Sequence, residues 1–350
     1  MLSCTDLTQL VTSHKNSFIG VLIRFLIVGI VALVTVIIQY SLFILCHLLR
    51  PIIGKRGVQY GLSFLMGTYL RFVRFFISDF KVILTGDVDM IEKTTFNRCV
   101  YIQNHQTELD WLFMCYFLQM FDRENDFSAI MKSSISKVPA FGPIVQELNM
   151  CLLDRDWKRD QKNFAQFLEQ FEHHPRPVCV FLCPEGTTIT QASLDRSQQF
   201  ARRAGRPVFD HVLLPRSTGL AFIIQQIREW EKESGETVYL YDTTMQFEGF
   251  TGEVSGDHYE RVVDVNFPDL DNCFFWRVPV QCHMHVKVVP LTKIVSEEAT
   301  SLEAISKEVQ DWLDASWTEK EKQMKYFAKH QTFDESWNAN RVSDGERNEG

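Results

Sequence analysis

Two short clusters hold the residue types that chemistry would need. The segment Asn104–Trp111 (NHQTELDW) sets His105 and Asp110 five residues apart, where an apolar strand gives way to an apolar helix. The segment Phe181–Thr188 (FLCPEGTT) closes a second apolar strand and places Glu185 75 residues beyond Asp110. An alcohol is a poor nucleophile and needs a base within hydrogen-bond reach as it attacks a carbonyl. Imidazole titrates near neutrality, and a carboxylate on its far nitrogen fixes the tautomer and stabilises the imidazolium that forms. His105 and Asp110 suit those two roles if the chain turns between them. A lone histidine near a helix start is more often a hydrogen-bonded structural residue; the Asp110 partner and the second cluster turn the reading toward catalysis. Gly186 lets backbone approach a ligand closely, and Glu185 can hold the loop or the polar end of a substrate. The plainer reading of Pro184-Glu185-Gly186 is a tight turn.

The elements that must carry these residues follow from hydrophobic patterning. Strand-like runs fall at Phe80–Leu84, Cys99–Gln103, Phe127–Met131, Cys151–Asp154, Val178–Cys183 and His211–Leu214. Helical patterns lie between them at Glu108–Met120, Trp157–Glu172, Gln191–Ala204 and Ser217–Trp230. That alternation predicts an α/β fold, a mainly parallel sheet flanked by helices. Thr107 and Asp110 resemble a cap and its third-residue partner, so a helix beginning near Glu108 puts His105 at the carboxyl end of a strand, where such sheets bind ligands. Val238–Gln246 and the alternating Gln281–Val289 read as later strands without an intervening helix, and Asp257–Trp276 as a polar loop or insertion. Ser301–His330 reads as an amphipathic surface helix, with Leu302, Ile305, Val309, Leu313 and Trp317 on its apolar stripe. The organisation expected is a polar leader (1–17), membrane-anchoring helices (18–77), a catalytic domain (78–295), the C-terminal helix (296–330) and a polar tail (331–350).

The membrane assignment rests on Phe25–Leu49, 25 residues without an Asp, Glu, Lys or Arg. A helix of that length crosses a hydrocarbon core of roughly 30 Å. Cys46–Arg50 offers no small-residue cleavage site, so the segment reads as a retained helix rather than a signal peptide. Val58–Ile77 differs: its uncharged part is too short to span, and Arg71 and Arg74 then appear among aromatics. It reads as an interfacial helix whose arginines reach headgroups or, with equal weight, as a packing helix of the soluble domain. Arg50, Lys55 and Arg56 outnumber Lys15 and Arg24, which favours a cytosolic C-terminal side. A net charge of −8 without a basic stripe argues against a nucleic-acid partner. Nine cysteines show no C-x-x-C pair, and no N-x-[ST] sequon occurs, as suits a reduced, cytosol-facing domain.

The two clusters resemble motifs one and three of the glycerolipid acyltransferase family, which includes the 1-acylglycerol-3-phosphate acyltransferases. Leu153–Trp157 (LDRDW) resembles motif two and Leu214–Gly219 (LPRSTG) motif four, while Lys132, Lys137, Pro139 and Gly142 match the K-x-x-x-x-K-x-P-x-x-G stretch. The resemblance covers about residues 81–230. It implies transfer of an acyl group from acyl-CoA, as co-substrate, to the free hydroxyl of a lysophospholipid, with His105 and Asp110 as base and no metal or acyl-enzyme. It implies that Glu185, Gly186 and Thr187 shape the acceptor pocket. It also implies that Arg155 and Arg216 bind phosphate, with Lys132 and Lys137 as further candidates; the plain alternative for these cations is surface salt bridging. One departure matters. Phosphatidic-acid-forming members carry arginine after Glu-Gly-Thr, and this chain has Thr188. Losing that guanidinium removes a bidentate phosphate grip. The run from Glu185 through Arg196, Phe200 and Gly205 to the fourth motif, and the pair His283 and His285, look more like the lysocardiolipin and lysophosphatidylinositol branch. The two histidines lack a third ligand nearby in sequence and read as structural rather than metal-binding. An endoplasmic-reticulum membrane location, with the bilayer as partner, is the expectation. The rivals are phosphatidic-acid synthesis, a serine hydrolase, against which the absence of a G-x-S-x-G elbow counts, and a non-catalytic scaffold or lipid-transfer protein.

Overall fold

The computed structural model describes residues 18–76, 81–137, 141–148, 150–154, 156–173, 177–254, 281–333 and 341–342. The expected leader, the loop Asp257–Trp276, Arg155, Pro139 and most of the tail lie outside the described residues.

Eight strands form one sheet: β1 Lys81–Gly86, β2 Cys99–Gln103, β3 Phe127–Lys132, β4 Cys151–Leu153, β5 Cys179–Leu182, β6 Tyr239–Phe247, β7 Gln281–Pro290 and the two-residue β8 Arg341–Val342. Their order is β4-β3-β5-β2-β6-β7-β1-β8. The pairs β4/β3, β3/β5, β5/β2, β2/β6 and β7/β1 are parallel, whereas β6/β7 and β1/β8 are antiparallel. The α/β, mainly parallel reading therefore holds, and the two strands expected without an intervening helix are the antiparallel neighbours β6 and β7. An interior parallel strand is covered on both faces, so it reads as a continuous apolar run. β2 shows this: all five of its residues are buried, with Val100 and Ile102 facing one helical layer and Cys99 and Tyr101 the other.

The helices are α1 Phe18–Phe76, α2 Val88–Lys93, α3 Asp110–Gln119, α4 Phe141–Glu147, α5 Trp157–His173, α6 Gln191–Ala204, α7 Thr218–Ser234 and α8 Leu302–His330. One layer is built from α5, α7 and α8 through Phe164, Leu168, Ile223, Ile227, Leu313 and Trp317. The opposite layer centres on α3, whose residues from Leu112 to Gln119 are all buried, together with Met66 and Leu70 of α1. A helix apolar all round has to lie inside the protein, and α3 does.

α1 breaks at Gly54 (φ 68°, ψ 177°), a left-handed conformation that glycine adopts without a Cβ penalty. Its two arms, 18–53 and 55–76, run back alongside each other, since Gln39 lines one small cavity with Leu62, Met66 and Tyr69. Val36–Arg71 carries a stretch long and apolar enough to cross a membrane. Leu26, Ile30, Leu33 and Ile37 of the first arm are exposed. The second arm buries Val58, Leu62, Met66 and Leu70 and leaves Tyr60 and Phe64 exposed. Arg71, with an exposed side chain, pairs with Glu124 and, at 3.4 Å, with Asp122.

Two sequence expectations need correction. His211–Leu214 is no strand but a buried irregular segment. Its backbone is held by side chains, the His211 N–H donating to Glu321 Oε2 at 2.9 Å and the Leu214 N–H to Ser197 Oγ at 2.8 Å. The C-terminal helix is not a surface helix along its length. Lys320 and Glu321, off the apolar stripe, are buried as well, because Asp242 of β6 and His211 face them.

Candidate active site

The site follows from strand register. β2 and β5 are parallel neighbours with Ile102 opposite Leu182. Continuing that register puts His105 level with Glu185, just past the carboxyl ends of two central strands. Three backbone ties hold these loops together. The Ile189 N–H donates to the His105 carbonyl at 2.9 Å, the Arg216 N–H to the Pro184 carbonyl at 2.9 Å, and the Gly186 N–H to the Cys183 carbonyl at 3.0 Å. Asn104 clamps the β2 loop to β6, donating Nδ2–H to the Met245 carbonyl at 2.9 Å and accepting the Met245 N–H at 2.8 Å.

Asp110 opens α3 and is buried. Its Oδ2 accepts from His105 Nδ1 at 2.8 Å and from the Gln106 N–H at 2.8 Å, and its Oδ1 accepts the Thr107 N–H at 3.0 Å. A carboxylate surrounded by donors can only accept, so Nδ1 of His105 carries its hydrogen and Nε2 keeps a free lone pair. The His105 side chain is 22 % exposed and Asp110 2 %. Burial opposes the imidazolium, but the hydrogen bond and charge of Asp110, with Glu185 and Glu108, outweigh it and raise the His105 pKa above its ordinary value. The expected base and partner are therefore brought together. The helix begins two residues later than expected, and the turn between the two residues is made by Asp110's own bonds to Gln106 and Thr107.

Glu185 is buried. Its Oε2 accepts the His105 backbone N–H at 3.2 Å, and its Oε1 accepts the indole N–H of Trp317 at 2.9 Å. Burial lifts its carboxyl to about 7, even against the pull of Trp317, the His105 charge and the backbone N–H groups of His105 and Leu213. Gly186 has φ +71°, so any side chain there is strained. A Cβ at that position would stand 3.9 Å from Cζ of Arg216, so the guanidinium lies over the Gly186 turn. Gly186 and Arg216 are exposed, Thr187 is half-buried and Thr188 is buried. Lys132, at the end of β3, and Lys137, in the 3-10 turn Ser133–Lys137, are both exposed. The β3/β5 register, Phe127 opposite Cys179, carries on to put Lys132 level with Pro184, on the same sheet edge as His105.

Sequence reasoning missed the contribution of α8. Trp317 enters through its indole N–H. Lys320, one turn on, donates to the Thr243 carbonyl at 2.7 Å, pairs with Asp242 at 2.6 Å, and stands 5.0 Å over the Trp317 ring. The available signal was polar: Asp242, Thr243 and Thr244 inside an otherwise apolar strand need partners. His105, Asp110 and Cys183 also present ligand-type atoms within 4.8 Å of one another. Asp110 already accepts three hydrogen bonds, and burial with the charges of Asp110 and Glu185 pushes the Cys183 thiol well up, so it stays protonated. His283 and His285 lie on β7, with burial lowering both to about 4. His283 Nε2 lies 3.2 Å from Gln281 Oε1 and His285 Nδ1 lies 3.0 Å from Thr85 Oγ1.

The arrangement is that of a partly exposed imidazole, oriented by one buried carboxylate and held at its backbone by another. Residues 87–244 match the family described as Acyltransferase, and residues 273–348 match the Acyltransferase C-terminus. The chain is 27% identical to mouse lysocardiolipin acyltransferase 1 over 248 residues, covering 71% of this chain and 57% of that protein. It is 27% identical to the Arabidopsis thaliana probable 1-acyl-sn-glycerol-3-phosphate acyltransferase 5 over 254 residues, 72% of this chain and 59% of that one. It is 24% identical to Caenorhabditis elegans lysophosphatidylinositol acyltransferase 10 over 313 residues, 86% of this chain and 69% of the relative. The chain thus spans little more than half the length of the first two relatives.

Proposed function

Since this chain belongs to the acyltransferase family, we propose that it transfers a fatty acyl group from acyl-CoA to the free hydroxyl of a lysophospholipid. The observation that carries this reading is the 2.8 Å bond between His105 Nδ1 and buried Asp110, which leaves Nε2 free at the sheet edge. The acceptor hydroxyl gives its proton to Nε2 as its oxygen bonds to the thioester carbon. The tetrahedral intermediate collapses, the carbon–sulfur bond breaks, and the CoA thiolate takes the proton back from the imidazolium. The products are an ester and CoA thiol, with His105 restored to its neutral form. Asp110 holds the tautomer throughout. Arg216, exposed over the Gly186 turn, is placed to meet phosphate, with Lys132, Lys137 and Arg155 as further cations on the acceptor or CoA.

The exposed apolar first arm of α1 supports membrane association, with the catalytic domain in the cytosol and the endoplasmic reticulum as the membrane. Lipid acceptor and acyl chain would then reach the site from the bilayer. Thr188 favours a lysocardiolipin- or lysophosphatidylinositol-type acceptor over lysophosphatidic acid. The relatives include enzymes named for each of these acceptors.

Membranes holding the protein or its His105→Ala form are supplied with radiolabelled oleoyl-CoA and a panel of lysolipids. His105-dependent label in phosphatidylinositol or a cardiolipin-type product is the expected result. Label chiefly in phosphatidic acid would move the assignment to the other branch. No His105-dependent label in any lipid would leave the scaffold reading in place.

A further inference from the structure

The C-terminal helix reaches the base through one side chain. Trp317 is fully buried, and its indole N–H is spent on Glu185 Oε1 at 2.9 Å. The other oxygen of that carboxylate takes the His105 backbone N–H at 3.2 Å. An indole nitrogen can only donate and an ionised carboxylate can only accept, so this bond favours the charged form of Glu185. The helix cannot easily withdraw Trp317. One turn on, Lys320 is buried against Asp242 and the Thr243 carbonyl of β6, and Ser316 bonds Asp242 from the same turn. We infer that Trp317 is a positioning residue of the acyl-transfer site, holding Glu185 against the backbone of His105 and thereby setting the orientation of the base. This inference rests on the general-base reading of His105.

The charged and titratable groups around the pair, among the described residues, include Arg216, whose guanidinium lies over the Gly186 turn. Asp110 and Glu108 stand on the histidine's own segment, Glu185 and Cys183 at the end of β5, and Lys320 on α8. Glu185 in its charged form raises the His105 pKa, and among the groups that keep Glu185 charged the Trp317 bond stands first. Removing the indole N–H therefore has a definite sign. Glu185 moves further toward its protonated form at neutral pH, its support for the imidazolium weakens, and His105 titrates lower.

The test uses the full chain in membranes or detergent, with Trp317→Phe and, to keep the indole's shape without its N–H, 3-benzothienylalanine at position 317. Losing a hydrogen bond to a charged group predicts a fall in kcat on the order of ten- to a hundredfold, with KM for oleoyl-CoA nearly unchanged. The acid limb of kcat/KM moves to lower pH, and the His105 ring resonance, followed by NMR in the same preparation, titrates lower with it. Adding Glu185→Gln brings no further loss, because the effect passes through that carboxylate. Wild-type kcat and an unmoved His105 titration in both variants would overturn the inference, as would losses that add in the double variant. A histidine titration that shifts while His105→Ala retains turnover would instead leave the positioning intact and refute the general-base reading.

Discussion

The central strand ends and the β3–β4 side of the same sheet edge carry polar residues under opposite conditions. At β2 and β5, Asp110 and Glu185 are buried and both carboxylates are filled by donors. Toward β3, Lys132 and Lys137 stand exposed, as does Arg216 in the loop over Gly186. Proton transfer requires a geometry fixed before substrate arrives, and burial among satisfied partners fixes it. Gathering a highly charged phosphate requires cations that water already solvates, because a buried, unpaired ammonium would lose its charge. On the proposed reading, one edge holds a rigid base and a pliant cation rim, each in the surroundings its task demands.

Substitutions break or sharpen that contrast in order of size. His105→Ala removes the base itself and is expected to lower kcat by roughly 10³-fold or more in the oleoyl-CoA assay, with the protein still folded. Asp110→Asn keeps the volume but loses the carboxylate that selects the tautomer. A fall of about 10²–10⁴-fold in kcat is expected, with the acid limb of kcat/KM at lower pH, since burial then acts on His105 without its main support. Glu185→Gln is read in stability as well as rate. Burial lifts the Glu185 pKa to about 7 from the ordinary 4.5, so the native state binds its proton more tightly than the unfolded chain does. The stability this confers is full below about 4.5 and is lost as pH rises through about 7, a swing on the order of 3 kcal/mol. The Gln variant should flatten that stretch of the Tm–pH curve; an unchanged slope would mean the carboxylate is already ionised throughout. Lys132→Ala, Lys137→Ala and Arg216→Ala sit at the small end. Each is expected to raise KM for acyl-CoA or acceptor about two- to fivefold with kcat nearly constant, and the difference should shrink at high salt. A thousandfold loss of kcat from any of these three would erase the distinction between base and rim.

Much of this contrast was legible before any coordinates, and what was hidden has physical causes. β2 and β5 announced themselves as apolar runs, and the His105–Asp110 spacing anticipated their contact. The meeting of His105 with Glu185 depends on register between strands 80 residues apart, which no local pattern encodes. The segment His211–Leu214 carries a strand-like pattern because its side chains are buried. The N–H groups of His211, Leu213 and Leu214 go to Glu321, Glu185 and Ser197 instead of a ladder, and periodicity reports burial rather than backbone pairing. The opposite error arose in α8. Lys320 and Glu321 look like a solvated face, yet they are buried because Asp242 and His211 are waiting for them. A charge in a helix pattern shows that a partner is required and leaves open whether that partner is water.

The strand order also imposes a timetable on synthesis. β1 begins at Lys81, but its parallel neighbour β7 begins only at Gln281. At the usual elongation speed of about 5–20 residues per second, the first strand waits roughly 10–40 s for it. Glu185 and Asp242 wait as well, for Trp317 and Lys320. A nascent chain thus passes through a period in which its base pair is already encoded while both buried carboxylates still lack their partners from α8. Both carboxylates are satisfied only when α8 has left the ribosome.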